Sequence, residues 1–178
     1  MKDMLKYAAI LSVLLTFDGC ASSGVVKNAS PVSTSMPVSL DFVLVETSGS
    51  LDNLETDRRL LNDVIITGLR ETQMFGSVSG NKADANSGGG IKVNVDIKKV
   101  SKVSNSARAW FGALAGRARI LVQVTISDLN SGKQIETFET EGKSSGGSDL
   151  AGTTDEAFQQ AARRVVAEVV KISRQTSQ

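Results

Sequence analysis

Apolar residues recur along this chain at two spacings, one typical of strands and one typical of helices. Strand spacing is clearest over 91–97, where Ile and Val alternate with polar residues and predict a strand with one solvent-facing side. Asn130 and Gly132 then favour a hairpin turn between two further strands. The predicted strands are 40–45, a short one at 77–78, 91–97, 118–127 and 134–141.

Two other segments repeat apolar residues at helical spacing. Asp52 or Asn53 can cap the first helix, which is expected to end near Phe75, and Thr153 or Thr154 can cap the second. The apolar stripe of the first helix is Leu60, Leu61, Val64, Ile65 and Leu69. The stripe of the second is Phe158, Ala162, Val165, Val166, Val169 and Ile172.

The order of these elements predicts an α+β fold. We expect a mixed or antiparallel sheet of four to five strands with two helices packed on one face, because the polar side of 91–97 indicates an open face. The folded domain is placed at 38–173, and a polar tail follows at 174–178.

The N-terminal residues indicate export. Residues 1–19 have the pattern of a secretory signal, and their apolar run over 7–17 is too short for a membrane-spanning helix, which needs about twenty residues. Gly19 and Cys20, directly after this run, resemble a bacterial lipobox. That resemblance implies cleavage before Cys20 and attachment of lipid, palmitate included, to its sulfur and new amino group. An ordinary secretory signal with a chance cysteine remains the alternative.

Three neighbouring residues refine this prediction. Phe17 and Asp18 depart from the usual lipobox, which has Leu and a small residue at these places. Ala21 stands after the cysteine, and by resemblance to Gram-negative sorting the lack of Asp there implies the outer membrane, with the domain facing the periplasm. The segment 20–37 is rich in Ser, Ala, Val and Pro, and we interpret it as the lipidated cysteine followed by a flexible tether.

Composition excludes several classes of function. The chain has 178 residues, 20 Lys and Arg against 19 Asp and Glu, no His and one Cys. A net charge of +1 argues against a protein held to nucleic acid by bulk charge. Without His the most common acid–base catalyst and metal ligand is missing, so we expect no catalytic residues, no metal and no cofactor.

Carboxylates are the remaining candidate for catalysis. Paired carboxylates can hydrolyse glycosides, which gives a remote alternative of a cell-wall or glycan hydrolase. Glu136 has a different strand parity from Glu139 and Glu141, so we expect these side chains on opposite faces and interpret them as a solvated strand surface. Asp96 and Asp128 are the other scattered acids.

The stretch 106–119 is the most unusual part of the chain, because it holds the only Trp beside a Phe, between basic residues. It is predicted to contact a partner or the membrane; the alternative is a buried loop whose Trp110 completes the core. The basic residues of 92–119 extend this candidate surface. The candidate contact residues are Arg108, Trp110, Phe111, Gly112, Leu114, Gly116 and Arg117.

The order of several short motifs resembles a known family. A Gly- and Ala-rich stretch ends at Gly116 and Arg117, a strand and a hairpin with Asp128 and Gly132 follow, and a Ser- and Gly-rich segment precedes the last helix. This order resembles the bacterial lipoproteins of the DUF4410 type, a domain of unknown function. A looser similarity is to penicillin-binding-protein activator lipoproteins and the curli secretion lipoprotein, which implies protein binding or assembly.

These observations give three hypotheses of function. The first is a non-enzymatic envelope lipoprotein, anchored through Cys20, that binds a periplasmic or envelope protein. The second is a self-associating outer-membrane component in which Gly112 and Gly116 allow close packing. The hydrolase is the third and most remote.

Overall fold

A six-stranded sheet with two helices on one side forms the part of the chain that the structure, a computed structural model, describes. The described residues are 27–31, 40–49, 54–84, 89–102, 117–145 and 154–176. The elements are β1 (Lys27–Pro31), β2 (Phe42–Gly49), α1 (Glu55–Glu71), β3 (Ser77–Ser79), β4 (Ile91–Ser101), β5 (Arg119–Asp128), β6 (Gln134–Lys143) and α2 (Thr154–Thr176), with one 3₁₀ turn at Lys82–Asp84.

The strands lie in the order β1-β6-β5-β4-β2-β3. β2 runs parallel to both β3 and β4, whereas the pairs β4–β5, β5–β6 and β1–β6 are antiparallel. The predicted α+β fold, with a mixed sheet and both helices on one face, is therefore confirmed.

The core lies between the sheet and the helices. Val95 of β4 pairs with Val124 of β5, which pairs with Phe138 of β6, and all three are at most 1% exposed. Leu61 and Ile65 from α1 lie in the same buried cluster, as does the predicted stripe of α2 except Val166, which is partly buried and packs against the cluster. Burying a side chain of this size contributes about 1.5–3 kcal/mol, so the one-sided alternation in the sequence follows directly from the energetics of the core.

The helices approach the sheet and each other at two glycines. A Cβ atom on Gly142 of β6 would lie 1.9 Å from the carbonyl oxygen of Ala157 in α2. A Cβ atom on Gly68 of α1 would lie 3.0 Å from a methyl group of Val166. The close packing of α2 on β6 therefore requires glycine at position 142.

The first half of β2, residues 42–45, is buried on both faces, which explains its unbroken apolar run. By register, Leu44 lies beside Lys92 on the face away from the helices, yet it is only 1% exposed. The connection from β3 to β4 has to pass β2, and a right-handed crossover passes on this face. The Ser79 hydroxyl, on the same face, donates a hydrogen bond to Asp84 of the 3₁₀ turn, as expected for such a crossover.

β1 differs from the sequence prediction. It lies within 20–37, the segment predicted to be a flexible tether, but its backbone pairs with β6 through Ser30 and Thr137 and through Pro31 and Glu136. An edge strand needs no alternation of apolar residues, and Pro31 is tolerated there because an edge strand has one side without ladder hydrogen bonds. The apolar pattern of the sequence therefore did not indicate β1.

Two helix ends also differ from the prediction. α1 begins at Glu55 without a side-chain cap and ends at Glu71, before the predicted end near Phe75. Two residues after Glu71, Gln73 has a positive φ of 53°. This left-handed residue ends the helix in a position where glycine is usual, so no sequence signal marked it. α2 continues to Thr176, into the predicted polar tail.

Candidate interaction surface at one end of the sheet

Three strands and both helices have ends on one side of the domain, which we call the upper end. There β4 ends at Ser101, β5 begins at Arg119 and β6 ends at Lys143, and these residues are neighbours by register. The segment 103–116, which contains most of the candidate contact residues, leaves and rejoins the sheet at this end.

A pair of backbone and side-chain hydrogen bonds closes the upper end. The Ser144 hydroxyl accepts a hydrogen bond from the backbone N–H of Ala118 at 2.9 Å, and the N–H of Ser144 donates to the carbonyl oxygen of Ala118 at 2.9 Å. Ser144 is 2% exposed and Ala118 is fully buried. Ala118, two residues after the segment 103–116, is thus hydrogen-bonded to the residue that follows β6.

The first turn of each helix also contacts the upper end. Asp57 of α1 forms an ion pair with Lys102 at 2.6 Å, and its side chain is only 15% exposed. Glu156 of α2 accepts a hydrogen bond from the Ser145 hydroxyl at 3.0 Å. Both contacts join a residue just after a strand to the first turn of a helix. Lys102 is also the residue directly before the segment 103–116, so one end of this segment is tied to α1.

Basic side chains are exposed at the upper end. Arg119 and Lys143 share Glu141, at 3.9 and 3.0 Å, and both basic side chains remain about half exposed. Lys99 and Arg117 are also exposed, and the described part of the chain provides no ion pair for either. Exposed ion pairs stabilise by about 0–1 kcal/mol, so these charges remain available to a ligand.

Folding mixes the charges that the sequence separates. The basic residues of 92–119 meet acids from other elements: Lys92 pairs with Glu46 at 2.7 Å, and Lys102 pairs with Asp57. Because strands distant in sequence become neighbours in the sheet, the sequence-wide basic surface contracts to the upper end.

Only one of the predicted contact residues lies in the described part of the chain. Arg117 is exposed, two residues before β5. Cys20 lies outside the described residues, as do Arg108, Trp110, Phe111, Gly112, Leu114 and Gly116. Within the described ranges, no helix combines the length and apolarity required to cross a bilayer.

The scattered carboxylates do not converge. Glu136 lies on the helix face near Glu168 and Lys171 of α2, whereas Glu139 and Glu141 lie on the opposite face. Burial, and secondarily the charge of Glu168, raises the pKa of Glu136 above its usual value. Among the described residues, no group of three or more Asp, Glu, His or Cys is placed to hold a metal.

Asp128 has a structural role in the hairpin turn. Its carboxylate accepts hydrogen bonds from the backbone N–H and the hydroxyl of Ser131, both at 2.7 Å. These hydrogen bonds lower the pKa of Asp128. Gly132 completes the turn with a φ of +69°.

A pocket lies between α1 and α2. Val64, Gly68 and Val166 line it, together with the charged residues Asp63, Glu71 and Arg163.

The contacts that fix the upper end could not be found from sequence. Asp57 and Lys102 are 45 residues apart, and Ser144 bonds to Ala118 across 26 residues. Ser and Asp are common surface residues, and neither contact has a local motif.

Comparison with known proteins assigns the family. The model of DUF4410, a domain of unknown function, matches residues 25–147, which include β1 to β6. The chain belongs to the DUF4410 family. A comparison of this DUF4410 protein with curated proteins finds no match.

Solved structures share the fold of this DUF4410 protein. Two structures of the PelC dodecamer from Paraburkholderia phytofirmans, one with a single substitution, cover 84% of this chain and 96% of their own, with TM-scores of 0.52 and 0.51 at 11% and 10% identity. A DUF330 protein from Xanthomonas campestris covers 83% of this chain and 94% of its own, with a TM-score of 0.49 at 13% identity. At these identities the likeness concerns the fold alone.

Proposed function

We propose that this protein is a lipid-anchored, non-enzymatic component of the bacterial envelope that acts by binding another protein. The observation that carries the proposal is the upper end, where a frame of contacts fixes Lys102 and Ala118, on either side of the segment 103–116, beside exposed basic residues. A frame of this kind positions a contact segment, and the segment contains Trp110 and Phe111, residue types that are enriched at protein interfaces.

The anchor is part of the proposal. Cys20 is the only cysteine, and it falls directly after the signal-like segment. Several acyl chains on one residue anchor a protein stably. The outer membrane is proposed because Asp does not follow Cys20.

Cys20→Ala tests the anchor. The variant should move from the outer-membrane fraction to the soluble periplasmic fraction, while Ser22→Ala, two residues away, should stay with the membrane. A Cys20→Ala protein that remains membrane-bound would rule out the lipid anchor.

A protein partner is tested by photo-crosslinking in cells. A photoreactive amino acid at Trp110 should give one dominant protein adduct, identified by mass spectrometry. The same amino acid at Ser131, in the hairpin turn at the opposite end of the sheet, serves as the matched control. A folded protein with no adduct from position 110 would contradict the proposal.

Absence of catalysis is proposed because the carboxylates are dispersed and occupied. Glu136 lies on a different face from Glu139 and Glu141, Asp128 is bound in its turn, and Glu141 is shared by two basic residues. Turnover of a cell-wall or glycan substrate that is lost in Glu136→Gln would overturn this part of the proposal.

Self-association is a second candidate function, favoured by the fold. PelC shares this fold over 84% of the chain and was solved as a dodecamer. Sedimentation velocity of the Cys20→Ala protein should then give a discrete species several times the monomer mass. A monomer at high concentration would count against self-assembly and leave the binding of another protein in place.

A further inference from the structure

The direction of β1 determines where the N-terminal chain leaves the domain. β1 is antiparallel to β6, with Lys27 opposite Glu139 and Pro31 opposite Glu136. The chain before Lys27 therefore leaves in the direction in which β6 runs to Lys143, which is toward the upper end.

The short distance in sequence between Cys20 and β1 limits how far the domain can turn. Lys27 is the seventh residue after Cys20, so this stretch spans at most about 25 Å. From the level of Glu139 to Lys143 is four residues, or about 13 Å. The chain can therefore reach the level of Lys143 with about 12 Å to spare.

The chain before Lys27 would reach the other end of the sheet, which we call the lower end, less easily. The chain would have to reverse its direction and cover about 17 Å, from the level of Glu139 to Gln134. It would then have to pass the hairpin turn around Ser131, which extends beyond the strands. Almost no chain would remain to place Cys20 in a membrane.

Exposed basic residues at the upper end can contact an anionic surface. Lys99 and Arg117 are exposed there, although the first turns of both helices bring acids to the same end. The lower end also carries both signs of charge, with Asp128 near Lys133 in the hairpin turn and Arg174 in the last turn of α2. Anionic phospholipid headgroups attract basic residues within about 10 Å, the range that salt screening leaves.

From these observations we infer that the upper end of the domain lies against the phospholipid surface of the membrane. The inference rests on the proposed lipid anchor at Cys20 and deepens it by assigning the membrane-facing side. Arg117 and Lys99 then lie at the headgroups, and the lower end, with the hairpin turn, points away from the membrane. A protein that contacts the segment 103–116 is accordingly one at the membrane surface.

A matched pair of serines provides the test. Ser145 lies at the upper end and Ser131 at the lower end; both are exposed, and both hydrogen-bond to a nearby carboxylate. Ser145→Cys and Ser131→Cys are each made in the full lipoprotein, purified from membranes and inserted in phosphatidylethanolamine–phosphatidylglycerol vesicles. The sulfur of Cys20 is bonded to lipid in this protein, so a thiol-reactive fluorophore labels only the new cysteine.

A headgroup-attached quencher in the vesicles should quench the fluorophore at position 145 at least threefold more than the fluorophore at position 131. Ten residues of β5 separate the ends by about 33 Å, which makes the contrast large. Equal quenching at the two positions, or stronger quenching at 131, would overturn the inference and leave the anchor intact. Labelling of Cys20 itself, or a protein that does not insert, would remove both the anchor and the inference.

Discussion

Gly132 and Gly142 lie ten residues apart and have different structural roles. Gly132 needs glycine for its positive φ alone, since a Cβ atom there would meet nothing within 4 Å. Gly142 needs glycine because α2 packs directly on the backbone of β6. The first requirement is conformational and local, and the second is steric and belongs to the core.

Alanine at each position should separate the two requirements. Gly132→Ala should lower the free energy of unfolding by about 1–2 kcal/mol, the cost of a left-handed conformation. Gly142→Ala should lower it by about 3 kcal/mol, because α2 must move away from the sheet. Urea denaturation measures both values. Equal losses, or a Gly142→Ala protein as stable as the parent, would show that α2 packs differently.

Glu136 should give a pH-dependent stability. Because burial raises its pKa in the folded protein above the usual 4.5, the ionised form is less favourable when folded than when unfolded. The folded protein therefore becomes less stable as the pH rises through the folded pKa of Glu136. It keeps its full stability at lower pH, where Glu136 is protonated in both the folded and the unfolded state.

Glu136→Gln should therefore stabilise the protein at pH 7, by at most about 0.5 kcal/mol because solvent screens this half-buried group. At about pH 3.5, below the unfolded pKa, the substitution should have almost no effect. Thermal unfolding at the two pH values tests this, with Glu139→Gln on the opposite face as control. A larger gain at the lower pH would refute the assignment.

Among the elements, the two edges of the sheet are closed in a similar way. Arg70 of α1 donates two hydrogen bonds, at 3.0 and 2.7 Å, to the carbonyl oxygen of Val78 in the outer strand β3. Arg164 of α2 donates to the carbonyl oxygen of Glu141, in the part of β6 beyond its pairing with β1. Free strand edges invite pairing between molecules, so we expect these two arginines to protect the domain from aggregation.

Replacing both arginines should expose the edges. The Arg70→Met and Arg164→Met double variant should form large, thioflavin-binding aggregates in sedimentation experiments at concentrations where the parent stays dispersed. Arg163→Met, at the exposed neighbouring position, should not. A double variant as dispersed as the parent would mean that the edges are protected in another way.

The sequence predicted those elements that are buried on one side. β4, β5, β6 and α2 have apolar residues at the correct spacing because each contributes one face to the core. The parallel pairing of β2 with β4 could not be predicted, since spacing indicates burial and not neighbours. β1 was missed because an edge strand leaves no apolar pattern.

The candidate site was predicted only in part. Arg117 is exposed as expected, but the frame beneath it depends on Asp57, Ser144 and Glu156, which come from three distant parts of the chain. The role of Trp110 stays a prediction, because it lies outside the described residues.

For the whole molecule, the proposed anchor at Cys20 and the direction of β1 agree. Both support the proposed orientation, with the upper end at a membrane and the lower end toward the periplasm. PelC, which shares the fold, was solved as a dodecamer. The shared fold leaves the size of any assembly to be measured, whereas the anchor is common to both candidate functions.

Mass spectrometry of the protein purified from membranes tests the central claim most directly. Trypsin should release the peptide from Cys20 to Lys27 with a diacylglycerol on the cysteine sulfur and a fatty acyl group on its amino terminus. An unmodified peptide, or a mature protein that begins at any other residue, would contradict the account of a lipid-anchored envelope protein.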